Sequence, residues 1–333
     1  MPWRANATRT GPARHRPVRS TADDCPGRAA ALGSPAPVPP AGATLAAAPI
    51  RPRRSVLYMP AANARALEKA QTLDADGFIF DLEDAVAPDA KVAARDQLAR
   101  ALAGFDYRGR ERVVRVNGLD TPWAADDLRM AARSGADAVL VPKVESAAAL
   151  LAAEAALVDA GAPVGMALWA MMETPRAFLR ADEIAGATPR LACLAMGTSD
   201  LAHELRALHT PDRIAFLPSL GLGLLAARAH GLAALDGVHL DLSDDAGFEA
   251  ACRQALVLGF DGKTLIHPKT IAGANAVFSP DPARIAWAER VTAAHAAAEA
   301  AGKGVVLVDG KLIENLHVAE AQRLLALANA IGN

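Results

Sequence analysis

From Arg54 onward the chain repeats one unit: a short apolar run, a polar or acidic residue at its end, then an alanine-rich stretch with helical spacing. The apolar runs fall at residues 56–59, 78–81, 113–117, 138–142, 164–172, 191–196, 235–240 and 264–267. Unbroken apolar runs alternating with helical patterns predict parallel strands covered by helices, because such strands are buried on both faces. Cap residues open the helical stretches: Asn63, Ser146, and Asp244 or Asp245 ahead of Phe248, Cys252 and Leu256. Eight strand–helix units predict an α/β chain folded as a (β/α)8 TIM barrel over residues 53–275. The rival is a doubly wound open sheet. It usually has fewer strands and a glycine-rich turn after the first, which Tyr58-Met-Pro-Ala-Ala-Asn63 is not.

The pattern changes past Pro268. Residues 283–301 read as one long helix, followed by a strand at 305–308, a tight Asp309-Gly310 turn, a strand at 312–313 and a last helix over 317–331. This makes 276–333 a small C-terminal α/β appendage, too small for a core of its own. The first 50 residues differ again, with nine of the 22 prolines, six arginines and only two acids, Asp23 and Asp24. Such a stretch cannot bury enough apolar area to offset its ordering entropy, so a disordered tail is expected. A targeting leader, or a start codon placed too far upstream, would share that composition.

Of the 333 residues, 52% are hydrophobic and 22% charged, with a formal net charge of −2. That balance suits a soluble globular protein and gives no global field for nucleic acid or an anionic membrane. No apolar run reaches the roughly 18 residues of a membrane span. Cys25, Cys193 and Cys252 lie far apart without metal-ligand spacing, as expected of reduced cysteines in the cytoplasm.

Active sites of barrels stand at the carboxyl ends of the strands. Those ends carry Asp81-Leu-Glu-Asp84, Arg115-Val-Asn117, Pro142-Lys143, Glu173-Thr-Pro175, Gly197-Thr-Ser-Asp200, Asp236 to Asp241, and His267-Pro268. Glu173 and Asp200 end consecutive strands and can face the same mouth; two carboxylates without cysteine or histidine suit a hard cation such as Mg2+. Helix capping is the competing role for both, since each precedes a helical stretch. Alternation points Arg115 inward, where it needs an anion: a substrate carboxylate, or Glu83 or Asp84 in a structural ion pair. One of the acids at 81–84 can orient metal-bound water or balance Arg115. His267 reads as a hydrogen-bonded structural residue, Lys143 as an exposed or ion-paired lysine rather than a Schiff base, and Cys193 as core.

Six motifs together resemble the citrate lyase β-subunit-like branch of the HpcH/HpaI aldolases, which includes malyl-CoA and citramalyl-CoA lyases. They are Arg54-Ser-Val-Leu-Tyr-Met-Pro60, Asp81-Leu-Glu-Asp-Ala-Val86, Arg115-Val-Asn117, Met172-Glu-Thr-Pro175, Gly197-Thr-Ser-Asp-Leu201 and Gly259-Phe-Asp-Gly-Lys-Thr-Leu-Ile-His-Pro268. The likeness runs over residues 53–330. It implies a Mg2+-dependent barrel, a homo-oligomer (trimer or hexamer), that takes acyl-CoA and small 2-oxo or hydroxy-dicarboxylic acids. Metal ligation falls on Glu173 and Asp200, substrate binding on Arg54, Arg115 and Glu173, and catalysis on Arg115, Asp84 and Glu314. Glu314 stands where relatives carry an aspartate that reaches into a neighbouring subunit's site. The expected reaction cleaves or forms a carbon–carbon bond, the alkoxide being stabilised by the metal and the enolate protonated by an acid such as Glu314. A malyl-CoA-type thioesterase, a class II-type aldolase of free 2-oxo acids and a non-catalytic lyase subunit are the alternatives, and the Glu314 change is where a switch to hydrolysis would lie.

Overall fold

The computed structural model describes residues 50–302 and 306–332; the predicted tail at 1–50 lies, but for its last residue, outside them. Eight parallel strands follow one another around a closed barrel. They are β1 (Ser55–Pro60), β2 (Gly77–Asp81), β3 (Glu111–Arg115), β4 (Ala138–Val141), β5 (Ala167–Met172), β6 (Leu191–Met196), β7 (Ala233–Asp236) and β8 (Gly262–Leu265). Closure is made by β8 lying beside β1, with Ser55 opposite Lys263 and Leu57 opposite Leu265. A closed ring excludes the doubly wound alternative.

Helices fill each crossover: α1 (Ala64–Ala70), α2 (Lys91–Gly104), α3 (Ala124–Arg133), α4 (Ala147–Asp159), the short α5 (Pro175–Leu179) and α6 (Ala181–Ala185), α7 (Thr198–Leu205), α8 (Leu217–Ala229), α9 (Asp245–Leu258) and α10 (Ile271–Phe278). The expected caps form: Asn63, Ser146 and Asp244 accept from the backbone N–H of Ala66, Ala149 and Gly247.

Alternation divides the apolar side chains into two layers. Val56, Ile79, Val113, Leu140, Trp169, Cys193 and Leu235 fill the barrel interior. Leu57, Phe78, Phe80, Val114, Leu168, Ala170 and Leu194 pack outward under the helices. Parity then fixes what comes next along each strand. Asp81 follows Ile79 by two, Arg115 follows Val113, and Glu173 follows Trp169 by four, so all three continue the inward rows at the carboxyl end. Three strands end two or more residues before the sequence reading has them. The third ends at Arg115, the seventh at Asp236 and the eighth at Leu265, against the predicted 117, 240 and 267, because the apolar positions beyond them belong to loops.

After α10 come α11 (Pro282–Ala300), the antiparallel pair β9 (Val306–Val308) and β10 (Lys311–Ile313), and α12 (Asn315–Gly332). Asp309 and Gly310 both have positive φ, 52° and 75°, as a two-residue hairpin turn of this hand requires. Contrary to expectation, this appendage has a small core of its own, built from Ala288, Val291, Val308, Ile313, Val318, Ala321 and Leu324. Two facing helices and a hairpin provide enough apolar surface for that. Among the described residues, no helix is long and apolar enough to cross a membrane.

Candidate active site

The carboxyl end of the barrel gathers most of the predicted residues. Arg115 is its hub. Its Nε and Nη2 donate to Asp81 Oδ1 and Oδ2 at 2.7 and 2.6 Å, a bidentate pair, and Nη1 stands 2.9 Å from Glu83 Oε2 and 3.3 Å from Asp84 Oδ2. The guanidinium lies over the Tyr58 ring, 5.0 Å from its centre. Of the two alternatives weighed for an inward arginine, the structure shows the ion pair. The acids hold Arg115 in place, and of its partners Asp84 alone has a largely exposed side chain (60%).

The loop carrying these acids is pinned from below. Asp81 accepts from the backbone N–H of Glu83 and Ala85. Lys91 Nζ donates to the carbonyls of Leu82 and Glu83 at 2.8 and 2.6 Å, and Asn117 Nδ2 donates to Leu82 O at 3.0 Å. The buried Lys91 ammonium has its pKa lowered by desolvation. Glu83 is buried, and desolvation raises its carboxyl pKa against the pull of Arg115. Its Oε2 meets Arg115 as an ion pair without an aligned hydrogen bond.

Glu173 and Asp200 form the second centre. Neither caps a helix. Thr174 does so for α5, accepting from Ala177 N–H, and Gly197 sits at the cap of α7 with Asp200 in the following turn. Glu173 is almost fully buried and its carboxyl is pushed up to about 8, first by desolvation and then by the hydrogen bond it shares with Asp200. Two carboxylates forced together with little water are an unfavourable pair unless a proton or a cation joins them. The backbone N–H of Lys143 donates to Glu173 Oε1 at 2.7 Å. Lys143 adopts a left-handed backbone, φ 48°, to aim that N–H, and sends its Nζ to Glu83 Oε1 at 3.2 Å. Gly197 packs so closely that a Cβ there would lie 2.5 Å from Glu173 Cβ and 2.7 Å from Oε2. Among the described residues no trio of His, Cys, Asp or Glu is gathered at metal-ligand spacing; the site offers a pair. A hard divalent cation fits a pair, completing its shell with water and substrate oxygens.

Four predicted or weighed positions stand elsewhere. Arg54 is a correction: it precedes β1 at the opposite, amino end of the barrel. There it donates from Nε and Nη2 to Asp76 at 2.9 and 2.7 Å, and from Nη1 to Ser279. A residue before the first strand position cannot reach the carboxyl-end mouth. Asp236 faces outward from β7, between Arg213 (2.6 and 2.7 Å) and Lys263 (2.6 Å), a buried ion triad. His267 caps the 3-10 turn at 268–270, its Nδ1 accepting from Lys269 N–H, the structural role expected of it. Glu314 precedes α12 in the appendage and is exposed, its backbone N–H donating to His317 Nδ1. Among the described residues no hydrogen bond or ion pair ties its carboxylate to the mouth of its own barrel.

Sequence reasoning missed Gly197 as a spacing device and Lys143 as the residue joining the two acidic centres. The glycine beside the conspicuous Thr-Ser-Asp run was the available signal for the first. The second depends on a backbone angle that no residue type announces.

Comparison with known proteins locates this site among relatives. Residues 54–268 match the family model described as HpcH/HpaI aldolase/citrate lyase. The chain is 54% identical over 280 residues to a (3S)-malyl-CoA thioesterase of Cereibacter sphaeroides, covering 84% of this chain and 96% of that protein. It is 37% identical over 285 residues to the citrate lyase subunit beta of Leuconostoc mesenteroides subsp. cremoris, covering 84% and 94%. Among solved structures it is similar to protein CitE from Mycobacterium tuberculosis in complex with magnesium, acetoacetate and coenzyme A, with TM-score 0.66 and 32% identity over 83% of this chain and 97% of that one.

Proposed function

We propose that this chain, which belongs to the HpcH/HpaI aldolase/citrate lyase family, is a Mg2+-dependent enzyme that hydrolyses the thioester of a 3-hydroxydicarboxylic acyl-CoA of the malyl-CoA type. The observation that carries the choice of hydrolysis is the 54% identity over nearly the whole length of a (3S)-malyl-CoA thioesterase, against 37% for a citrate lyase subunit. The site's chemistry agrees with a substrate that brings a hydroxyl and a carboxylate to a hard cation. Magnesium in a CitE structure supports the choice of ion.

Glu173 and Asp200 would hold the cation, with Lys143 N–H and Gly197 fixing the Glu173 carboxylate in place. When bound, Mg2+ supplies Lewis-acid polarisation of substrate oxygens and a more acidic water. Arg115, locked to Asp81 on one edge, turns its Nη1 toward the substrate's free carboxylate as the exposed Asp84 gives way. Of the three acids in the loop, Asp81 is fully used and Glu83 is held between cations. Asp84 is thus the one free to take the proton of the attacking water. Water oxygen bonds to the thioester carbon, the carbon–sulfur bond breaks, and the CoA thiolate leaves to be protonated by solvent.

Carbon–carbon cleavage is the second reading, favoured by the citrate lyase relatives. Purified protein with Mg2+ and (3S)-malyl-CoA separates them. Free CoA with intact malate is expected; glyoxylate with acetyl-CoA would replace hydrolysis by the lyase reaction.

A further inference from the structure

The two cations at the mouth differ in what they have left to give. Arg115 spends Nε and Nη2 on Asp81 and meets two further acids with Nη1. Lys143 has one acid partner among the described residues, Glu83 at 3.2 Å, for an ammonium with three donors, and its side chain is half exposed (53%). Its position does not depend on that ion pair. The main chain is anchored by the 2.7 Å bond to Glu173, so the ammonium projects from the same residue that steadies the metal-binding carboxylate. Arg115 and Lys143 flank Glu83, with Nη1 2.9 Å from one oxygen and Nζ 3.2 Å from the other. The two cations therefore stand one carboxylate apart, with the buried Glu83 between them, and a second carboxylate can meet both from the exposed side of Lys143.

With Arg54 at the other end of the barrel, one of the two cations expected at the substrate's free carboxylate is missing from the mouth. We propose that Lys143 takes its place as the specificity-determining residue. Its free N–H donors take an oxygen of the carboxylate that a malyl group carries beside its hydroxyl, and that a 3-hydroxybutyryl group replaces with methyl. Arg115 takes the other oxygen. The inference rests on the hydroxydicarboxylate reading of the site but not on which bond is broken.

Calorimetry on the full chain with Mg2+ present compares malate with 3-hydroxybutyrate, which differ only at that group. The wild type should bind malate at least about tenfold more tightly, as a charged hydrogen bond allows. Lys143→Met should cut that preference at least about fivefold, leaving the share that Arg115 and the cation provide, without weakening Mg2+ binding, because the main-chain bond to Glu173 stays. Lys143→Gln repeats the test should the methionine disturb the loop, and Lys143→Arg should keep most of the preference. A preference undiminished in both neutral variants, or a wild type that does not distinguish the two acids, overturns the inference. Selective malate binding by a protein that releases no CoA from malyl-CoA would instead sink the hydrolysis reading and leave Lys143 standing.

Discussion

The two ends of the barrel balance their charges in opposite ways. At the amino end each arginine has its acid: Arg53 grips Glu111 through two bonds, Arg54 grips Asp76, and Arg112 and Arg51 share Asp137. At the carboxyl end Asp81, Glu83 and Asp84 share Arg115 and Lys143, Glu173 and Asp200 meet each other, and the buried Lys91 spends its donors on carbonyls. Matched pairs hold a fold together and need nothing further. A surplus of half-dehydrated carboxylates costs stability and is retained for what it can bind. The difference separates stability from chemistry along one barrel axis.

That contrast can be broken most severely at its acidic end. Glu173→Gln and Asp200→Asn should each lower kcat/KM by roughly a thousandfold or more and weaken Mg2+ binding, with the circular dichroism spectrum unchanged. Full turnover by either variant at limiting Mg2+ would remove the pair from the chemistry. Gly197→Ala should come next, with a loss of about 10- to 100-fold as the new methyl displaces Glu173. A crystal structure of that variant should show the carboxylate moved.

Glu314→Ala should lose about tenfold in turnover and keep Mg2+ affinity if the exposed acid serves a neighbouring copy. Co-expression with Asp200→Asn should then restore part of the activity in mixed oligomers, and a lack of rescue would end the shared-site proposal.

A gentler probe uses pH. Glu173 holds its proton to about 8 in the metal-free fold, against 4.5 for an ordinary glutamate, so the folded state binds more protons between those values. The stability this provides is complete below 4.5 and lost as pH rises through 8. With a chelator present the melting temperature should therefore decline from pH 5 to 9 relative to Glu173→Gln, and added Mg2+ should cancel the decline. Smallest in activity is Arg54→Ala at the other end. It should cost about 2–4 kcal/mol of stability and leave kcat/KM within about twofold of wild type.

The barrel was legible because its evidence is periodic: eight apolar runs, each ended by a polar residue, with caps ahead of the helices. The inward direction of Arg115 was legible for a similar reason, since parity sets which strand residues point inward, although its bidentate partner proved to be Asp81 rather than Glu83 or Asp84. Arg54 was misplaced because motif likeness ignores which end of a strand a residue occupies; it lies one position before β1, not beyond its end. Asp236 was placed at the mouth by the same strand-end logic, yet it follows the inward Leu235 and so faces out. Lys143 and Glu83 sit in loops, where alternation stops and backbone angles decide direction.

The seam where Ser55 lies beside Lys263 sets the order of assembly. The first strand finds its second neighbour only when the eighth has been synthesised, so the ring cannot shut before Leu265 has emerged. Until then β1 and β7 present bare hydrogen-bonding edges. A polypeptide interrupted ahead of Gly262 would keep those edges permanently, and its fate would be pairing with other interrupted copies rather than folding.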